Sequence, residues 1–257
     1  EMCIRDRPKD ENDLIVPARE GTLRVIKAAN EEGVKKIVLT SSVAAIIYGH
    51  EKDSFNEEDW TDTDAEGCSA YNKSKTFAEK AAWDFIKSDE CNMELSVINP
   101  SLVLGPVLES DFGTSVELVK RFLNGGFPLA PNISFGIVDV RDVAQLHLLA
   151  LESPQASGNR FIASSETLAI PLISEFLRKK IPEYQKRLPK GTAPDFLIKL
   201  LGFFSPLMKT VANQLGKTKE LDNSKAKNIL GWQPRSGEEA VIASAKSLIE
   251  FDIVKSP

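Results

Sequence analysis

Tyr71 and Lys75 form a Y-x-x-x-K pair inside a segment, 69–88, that reads as a helix with Ala78, Ala81, Ala82 and Phe85 on one side. A four-residue spacing puts both side chains on one helix face, one above the other. An ammonium beside a phenol favours the phenolate, lowering a pKa that starts near ~10. A tyrosine needs that shift to exchange a proton with an alcohol or carbonyl near neutral pH. The pair alone also fits an exposed helical surface, because the pattern recurs by chance in chains of this length. Two neighbouring segments give it weight. Thr40-Ser41-Ser42 ends an apolar run, Lys36–Ser41, that reads as a strand buried on both faces. Its hydroxyls therefore stand at the carboxyl end of a parallel strand, where open α/β sheets hold ligands and a hydroxyl can hydrogen-bond a carbonyl. Asn99-Pro100-Ser101-Leu102-Val103-Leu104-Gly105-Pro106 follows the next strand, Met93–Asn99, at the same end.

The elements that position these residues follow from periodicity. Leu14, Ile15, Leu23, Ile26 and Ala29 predict a helix from Asn12 to Glu32 with Gly33 as its C-cap. The order helix, strand, helix, strand implies right-handed crossovers and a doubly wound parallel sheet, so the fold class is α/β. Beyond Pro100 a helix is expected over Thr114–Leu123, a strand over Phe135–Val140, a helix capped by Asp142 through Leu151, and a short strand over Asn159–Ala163. Helices then alternate with Pro-rich breaks, and a last helix covers Glu238–Phe251. Asp139, Arg141 and Asp142 are expected to cap a helix and tie two lobes together; Asp222–Trp232 reads as a packing motif of the C-terminal lobe. The acidic stretch Asp53–Glu66 reads as a solvated lid, with Trp60 near the mouth of the site.

Composition narrows the function. Of 257 residues, 42% are hydrophobic and 27% charged, an ordinary globular balance. A formal net charge of −5 with only short basic clusters argues against nucleic acid as a partner. Cys3, Cys68 and Cys91 are widely spaced, and His50 and His147 lie far apart, so neither a disulfide framework nor a metal site is expected. A reducing, cytoplasmic setting suits them. The most apolar stretch, Phe196–Met208, is too short to span a bilayer and reads as a half-buried helix, so no membrane partner is expected.

Taken in order, these motifs resemble the extended short-chain dehydrogenase/reductases of the NAD-dependent epimerase/dehydratase superfamily, and within them the dihydroflavonol-4-reductase-like and cinnamoyl-CoA-reductase-like branch. The likeness runs from Pro17 to Leu248 and rests on Pro17–Thr22, Val38–Ser42, Tyr71-Asn72-Lys73-Ser74-Lys75-Thr76 with Ala78-Glu79-Lys80, Asn99–Pro106, Val138–Ala144 and Asp222–Trp232. It implies a Rossmann-like sheet with a smaller substrate lobe. It implies NADP(H)-dependent reduction of a ketone or aldehyde, with NAD as the other cofactor candidate and a small carbonyl or alcohol as the substrate. By position, Tyr71 becomes the general acid, Lys75 its partner and the holder of the nicotinamide ribose, and Ser42 the group polarising the carbonyl, with Ser41 in reserve. Thr40, Ser41, Tyr71 and Lys75 join Pro100, Ser101, Leu102 and Val103 as cofactor-binding residues, and Ser115 falls near the phosphates.

The resemblance also implies a glycine-rich turn ahead of Pro17, and no G-x-G-x-x-G or G-x-x-G-x-x-G occurs among these residues. Residues 1–7 resemble the translated end of a transposon used to prepare sequencing libraries and are expected to be foreign. On this reading 8–101 and 134–165 are the later part of the dinucleotide-binding domain, and 102–133 with 166–257 the substrate lobe, where Phe112, Phe127 and Leu129 line a pocket or simply fill the core. An apolar strand edge at 36–41 is then left unpaired, and the isolated chain is expected to be marginally stable. A fragment that binds no cofactor is one alternative, an NAD-dependent sugar epimerase or dehydratase the other. The oligomeric state is open, a homodimer included.

Overall fold

The computed structural model describes residues 10–204 and 211–257. The expectations for residues 1–7, Cys3 included, and for the far end of the 196–208 stretch lie outside the described residues. In chain order the principal elements are α1 (Asn12–Glu31), β1 (Lys36–Thr40), α2 (Ala70–Ile86), β2 (Glu94–Pro100), β3 (Leu102–Leu104), α3 (Glu117–Leu123), β4 (Ser134–Asp139), α4 (Val140–Glu152), β5 (Arg160–Ala163), β6 (Glu166–Ala169), α5 (Ile170–Lys180), α6 (Asp195–Gly202), α7 (Ser224–Leu230) and α8 (Gly237–Glu250). Two compact units share them. The first takes in everything described up to Ser101, with Ala144–Ala163 and Asp222–Gln233; the second takes in Leu102–Val143, Ser164–Leu221 and Pro234–Pro257.

The first unit is built on a parallel sheet in the order β1-β2-β5. Ile37 faces Leu95 and Leu39 faces Val97 across one ladder, and Ile98 faces Phe161 across the other. β2 is the central strand and is buried from Leu95 to Pro100, which is why it reads as a continuous apolar run rather than an alternating one. Helices α1 and α2 lie side by side, Ile26 and Ala82 packing with Leu95 and Val97 into one cluster. Ser69 starts α2: its hydroxyl accepts the backbone N–H of Asn72 at 3.2 Å, one of the orphan donors of a first helical turn. Asp222–Trp232 belongs to this unit. The Asp222 carboxylate accepts the Ser224 N–H at 2.9 Å, α7 packs on β5, and Gly231 turns the chain so that Trp232 is fully buried.

The second unit holds a mixed sheet, β3 parallel to β4 and β4 antiparallel to β6. Its core gathers Phe122, Leu123, Ile173, Leu177, Val241 and Leu248, with Phe112 and Phe127 packed partly buried against them. Ser236 and Glu239 form a reciprocal capping box at the start of α8. That helix anchors the turn after β3, since the Ser244 hydroxyl both accepts from Gly105 N and donates to Gly105 O at 2.8 Å, and Ser247 accepts from Val107 N at 2.9 Å.

One local expectation changes. α4 begins at Val140, so Asp142 lies inside its first turn and does not cap it; the carboxylate instead receives Arg235 through both backbone and guanidinium. Asp139 takes the cap, accepting Arg141 N at 2.9 Å and the Arg141 guanidinium at 2.7 Å. These bonds among Asp139, Arg141, Asp142 and Arg235 lie within the second unit. Among its described residues the apolar stretch is helical over α6, with Ile198 buried while Phe196, Leu200 and Leu201 face outward. Among the described residues no helix is long and apolar enough to cross a membrane.

Gly105 and Gly231 both need positive φ, at +113° and +65°. A Cβ on Gly231 meets nothing within 4 Å, whereas one on Gly105 stands 2.9 Å from Asp139 Oδ1 and 3.0 Å from Val140 Cγ1. Gly231→Ala should therefore cost about 1–2 kcal/mol through backbone strain alone. Gly105→Ala should cost at least about 1 kcal/mol more through overpacking. Urea midpoints of the two variants check the order; equal losses would contradict it.

Candidate active site

The chain leaves β1 at Thr40 and turns through a 3-10 segment, Val43–Ala45, whose N-cap is Ser42. Ser42 is extended, at φ −164° and ψ 153°, and its Oγ accepts the Ala44 N–H at 3.1 Å. Tyr71 sits in the first turn of α2 and Lys75 one turn further on the same face. The Tyr71 phenol is hydrogen-bonded to the Ser42 side chain, and the Lys75 Nζ lies 5.9 Å from the centroid of the Tyr71 ring. Ser42, Tyr71 and Lys75 are thus brought together by one strand end and one helix face.

Their electrostatics differ from the pair taken alone. Burial pushes the Tyr71 phenol above its ordinary value of 10, and the hydrogen bond from Ser42 pulls it back in part. Lys75 is itself drawn below its ordinary value by burial. The lowering expected from the ammonium is not among the causes acting on the phenol: burial dominates, and the lowering partner is Ser42. A second phenol was not anticipated. Burial also raises Tyr48, with the nearby charges of Tyr71 and Cys68 adding to the effect.

The two serines after β1 separate clearly. Ser42 faces Tyr71, while the Ser41 hydroxyl donates to Glu79 Oε2 at 2.5 Å. Glu79 is fully buried on α2 and also accepts from Asn99 Nδ2 at 2.8 Å and Arg160 Nε at 2.6 Å. Thr40 Oγ1 is 2.7 Å from His147 Nε2. Pro100 ends β2, and Ser101 donates both its N–H and its hydroxyl to Ala163 O, at 3.0 and 3.3 Å. Leu102, Val103 and Ser115 belong to the second unit. Leu102 and Val103 pair with Ile137 and Val138, and Ser115 occupies the turn before α3, its carbonyl accepting Leu118 N at 3.3 Å.

The acidic stretch is not a solvated lid throughout. Glu57 is buried, its carboxylate accepting Ile162 N at 2.9 Å, and the Thr61 hydroxyl donates to Ala44 O at 2.8 Å. Arg160 donates to the carbonyls of Glu57 and Asp59, at 2.9 and 2.7 Å, and stacks on Trp60 with its guanidinium carbon 3.8 Å from the ring centroid. Glu79 carried a usable signal, standing four residues beyond Lys75 on the Tyr71–Lys75 stripe. Arg160 carried none, for its partners lie 81 to 103 residues away.

The NAD dependent epimerase/dehydratase family matches residues 1–163. The NADPH-dependent methylglyoxal reductase GRE2 of Saccharomyces cerevisiae is 33% identical over 267 residues, spanning 96% of this chain and 74% of that protein. Cinnamoyl-CoA reductase CAD2 of Medicago truncatula is 39% identical over 191 residues, 71% of this chain and 56% of that protein. The crystal structure of yeast methylglyoxal/isovaleraldehyde reductase Gre2 complexed with NADPH superposes with a TM-score of 0.79 at 28% identity, covering 98% of this chain and 75% of that one. The parallel sheet, the ordered motifs and these relatives agree: the chain belongs to the NAD dependent epimerase/dehydratase family, among the extended short-chain dehydrogenase/reductases.

Proposed function

We propose that this protein is an NADP(H)-dependent reductase of ketones or aldehydes, with Tyr71 as proton donor, Ser42 as the hydroxyl that orients the carbonyl, and Lys75 as the cation beside them. The observation that carries this reading is a half-buried phenol hydrogen-bonded to a serine hydroxyl, with an ammonium beside its ring. A phenol whose pKa is raised keeps its proton at neutral pH, and a reduction needs a group that gives one up. The relatives described above carry reductase names, the yeast one with NADPH, which supports the cofactor assignment.

The residues fit a nicotinamide ribose. Among the described residues no carboxylate pairs with Lys75, so a half-buried ammonium and a phenol hydroxyl are left to meet neutral hydroxyl groups. NADPH when bound supplies the hydride that reaches the carbonyl carbon. With substrate present, Ser42 Oγ turns its single proton from Tyr71 to the carbonyl oxygen and holds that oxygen near Tyr71. The Tyr71 Oη–H bond then breaks as the proton passes to that oxygen, giving the alcohol, and Lys75 stabilises the phenolate left behind. Pro100, Ser101, Leu102 and Val103 are assigned to the nicotinamide side, Ser115 to the phosphates, and Thr40 to the cofactor, all by their motif positions. Ser41 is left out of the carbonyl contact, because its hydroxyl is committed to Glu79.

Tyr71→Phe should lower kcat for NADPH oxidation with methylglyoxal by about 10²–10⁴-fold, the usual contribution of a positioned general acid, in the protein expressed from its complete coding sequence. Unchanged turnover would remove Tyr71 from the chemistry. A second outcome concerns protonation. Because the native Tyr71 phenol holds its proton more tightly than the unfolded one, that stability is full below about pH 10 and declines as the pH rises through the native value. Ser42→Ala deletes the lowering hydrogen bond and should move the Tyr71 phenolate absorbance to still higher pH; a downward move would contradict the arrangement.

A further inference from the structure

Helix α2 carries a third polar residue on the stripe of Tyr71 and Lys75. Glu79 lies eight residues beyond Tyr71, about 12 Å along the axis, and nothing in the proton transfer requires it. Its carboxylate is fully buried and meets four donors. Oε2 accepts from Ser41 Oγ at 2.5 Å and Asn99 Nδ2 at 2.8 Å; Oε1 accepts from Arg160 Nε at 2.6 Å and Trp83 Nε1 at 3.4 Å. Such a set suits an ionised carboxylate, which only accepts.

The donors come from different parts of the first unit. Ser41 is the residue after β1, Asn99 lies near the end of β2, and Arg160 opens β5. Asn99 Nδ2 also donates to the Ser42 carbonyl at 3.1 Å. Ser42 is therefore held from two sides, through the side chain of Ser41 and through its own carbonyl, and both ties end on Glu79 Oε2. The Ser42 hydroxyl, capping the 3-10 turn, has its direction fixed by that backbone.

Stability alone is a poor reason for this arrangement. A buried ion pair seldom outperforms apolar packing of the same volume. This one also leaves Arg160 NH2 and Asn99 Oδ1 buried with no hydrogen-bond partner. We infer that Glu79 is a positioning residue for the reduction: its carboxylate, clamped by Ser41, Asn99 and Arg160, sets the height of α2 against the ends of β1 and β2 and so the meeting of Ser42 with Tyr71. The inference rests on the Tyr71–Ser42 reading given above.

Turnover of methylglyoxal with NADPH, in the protein expressed from its complete coding sequence, tests it together with thermal melting. Glu79→Gln should lower kcat about tenfold to a hundredfold, as misplacement does, with KM for NADPH little changed. The alkaline limb of kcat/KM, which reports the free protein, should move to higher pH, because the Ser42 bond that lowers Tyr71 is lost. Ser41→Ala, which deletes a single donor and spares the ion pair, should show a smaller effect in the same direction and decides the matter if Glu79→Gln does not fold. The double variant Glu79→Gln/Arg160→Met removes the unpaired buried cation and should regain melting temperature without regaining kcat. Recovery of kcat along with stability, or a wild-type pH limb in Ser41→Ala, would overturn the positioning role. Tyr71→Phe in the same assay separates the two levels: full activity there brings down the underlying reading and this inference with it, while an inactive Tyr71→Phe beside unaffected Glu79 and Ser41 variants brings down this inference alone.

Discussion

A carboxylate closed off from water has to be met by donors, and meeting Glu79 fixes much of the first unit. The Glu79 side chain draws Ser41, Asn99, Trp83 and Arg160 to one point, and Arg160 in turn gathers the carbonyls of Glu57 and Asp59 and the face of Trp60. Two strand ends, a strand start, a helix and the loop after the 3-10 turn are thereby registered by hydrogen bonds, while the apolar cluster of Ile26, Ala82, Leu95 and Val97 supplies the driving force for burial. Hydrophobic contact is tolerant of small shifts. A network in which each misplaced partner leaves a desolvated polar group is not.

The cluster of Ser42, Tyr71 and Lys75 is the half-buried end of that arrangement. Water reaches it only in part, and desolvation outweighs the opposing hydrogen bond of Ser42 on the Tyr71 phenol. Lys75 is subject to the same environment and is drawn in the opposite direction. Desolvation favours the neutral form of each group, so the ordinary gap between a phenol and an ammonium is altered from both sides by one cause. The serine hydroxyl that opposes this effect on Tyr71 is also the one whose backbone is tied to the buried carboxylate.

Much of this is legible in the sequence. Helix α1, strand β1, helix α2 and strand β2 follow from apolar spacing and from runs apolar on both faces, signals that are local. So is the Tyr71–Lys75 stripe. What escaped is long-range: the Glu79–Arg160 pair spans 81 positions and the Asp142–Arg235 pair spans 93, and no periodicity reports such partners. Asp142 looked like a cap because an acidic residue near a helix start usually is one; a guanidinium from far along the chain claimed it instead. The preference for Ser42 over Ser41 came from the resemblance and from no local pattern, because adjacent residues leaving a strand point to opposite sides and periodicity does not say which side holds the phenol.

The placement of the aromatic residues has an optical consequence. All three tryptophans, Trp60, Trp83 and Trp232, lie in the first unit, where one is stacked under a guanidinium, one has its indole N–H on a carboxylate and one is sealed in the core. The second unit holds Tyr184 but no indole. Intrinsic tryptophan emission is thus a gauge of one half of the molecule, centred on the charged cluster, and is blind to the other half. Comparing it with a probe of overall helicity would reveal whether the two halves melt as one cooperative body or separately.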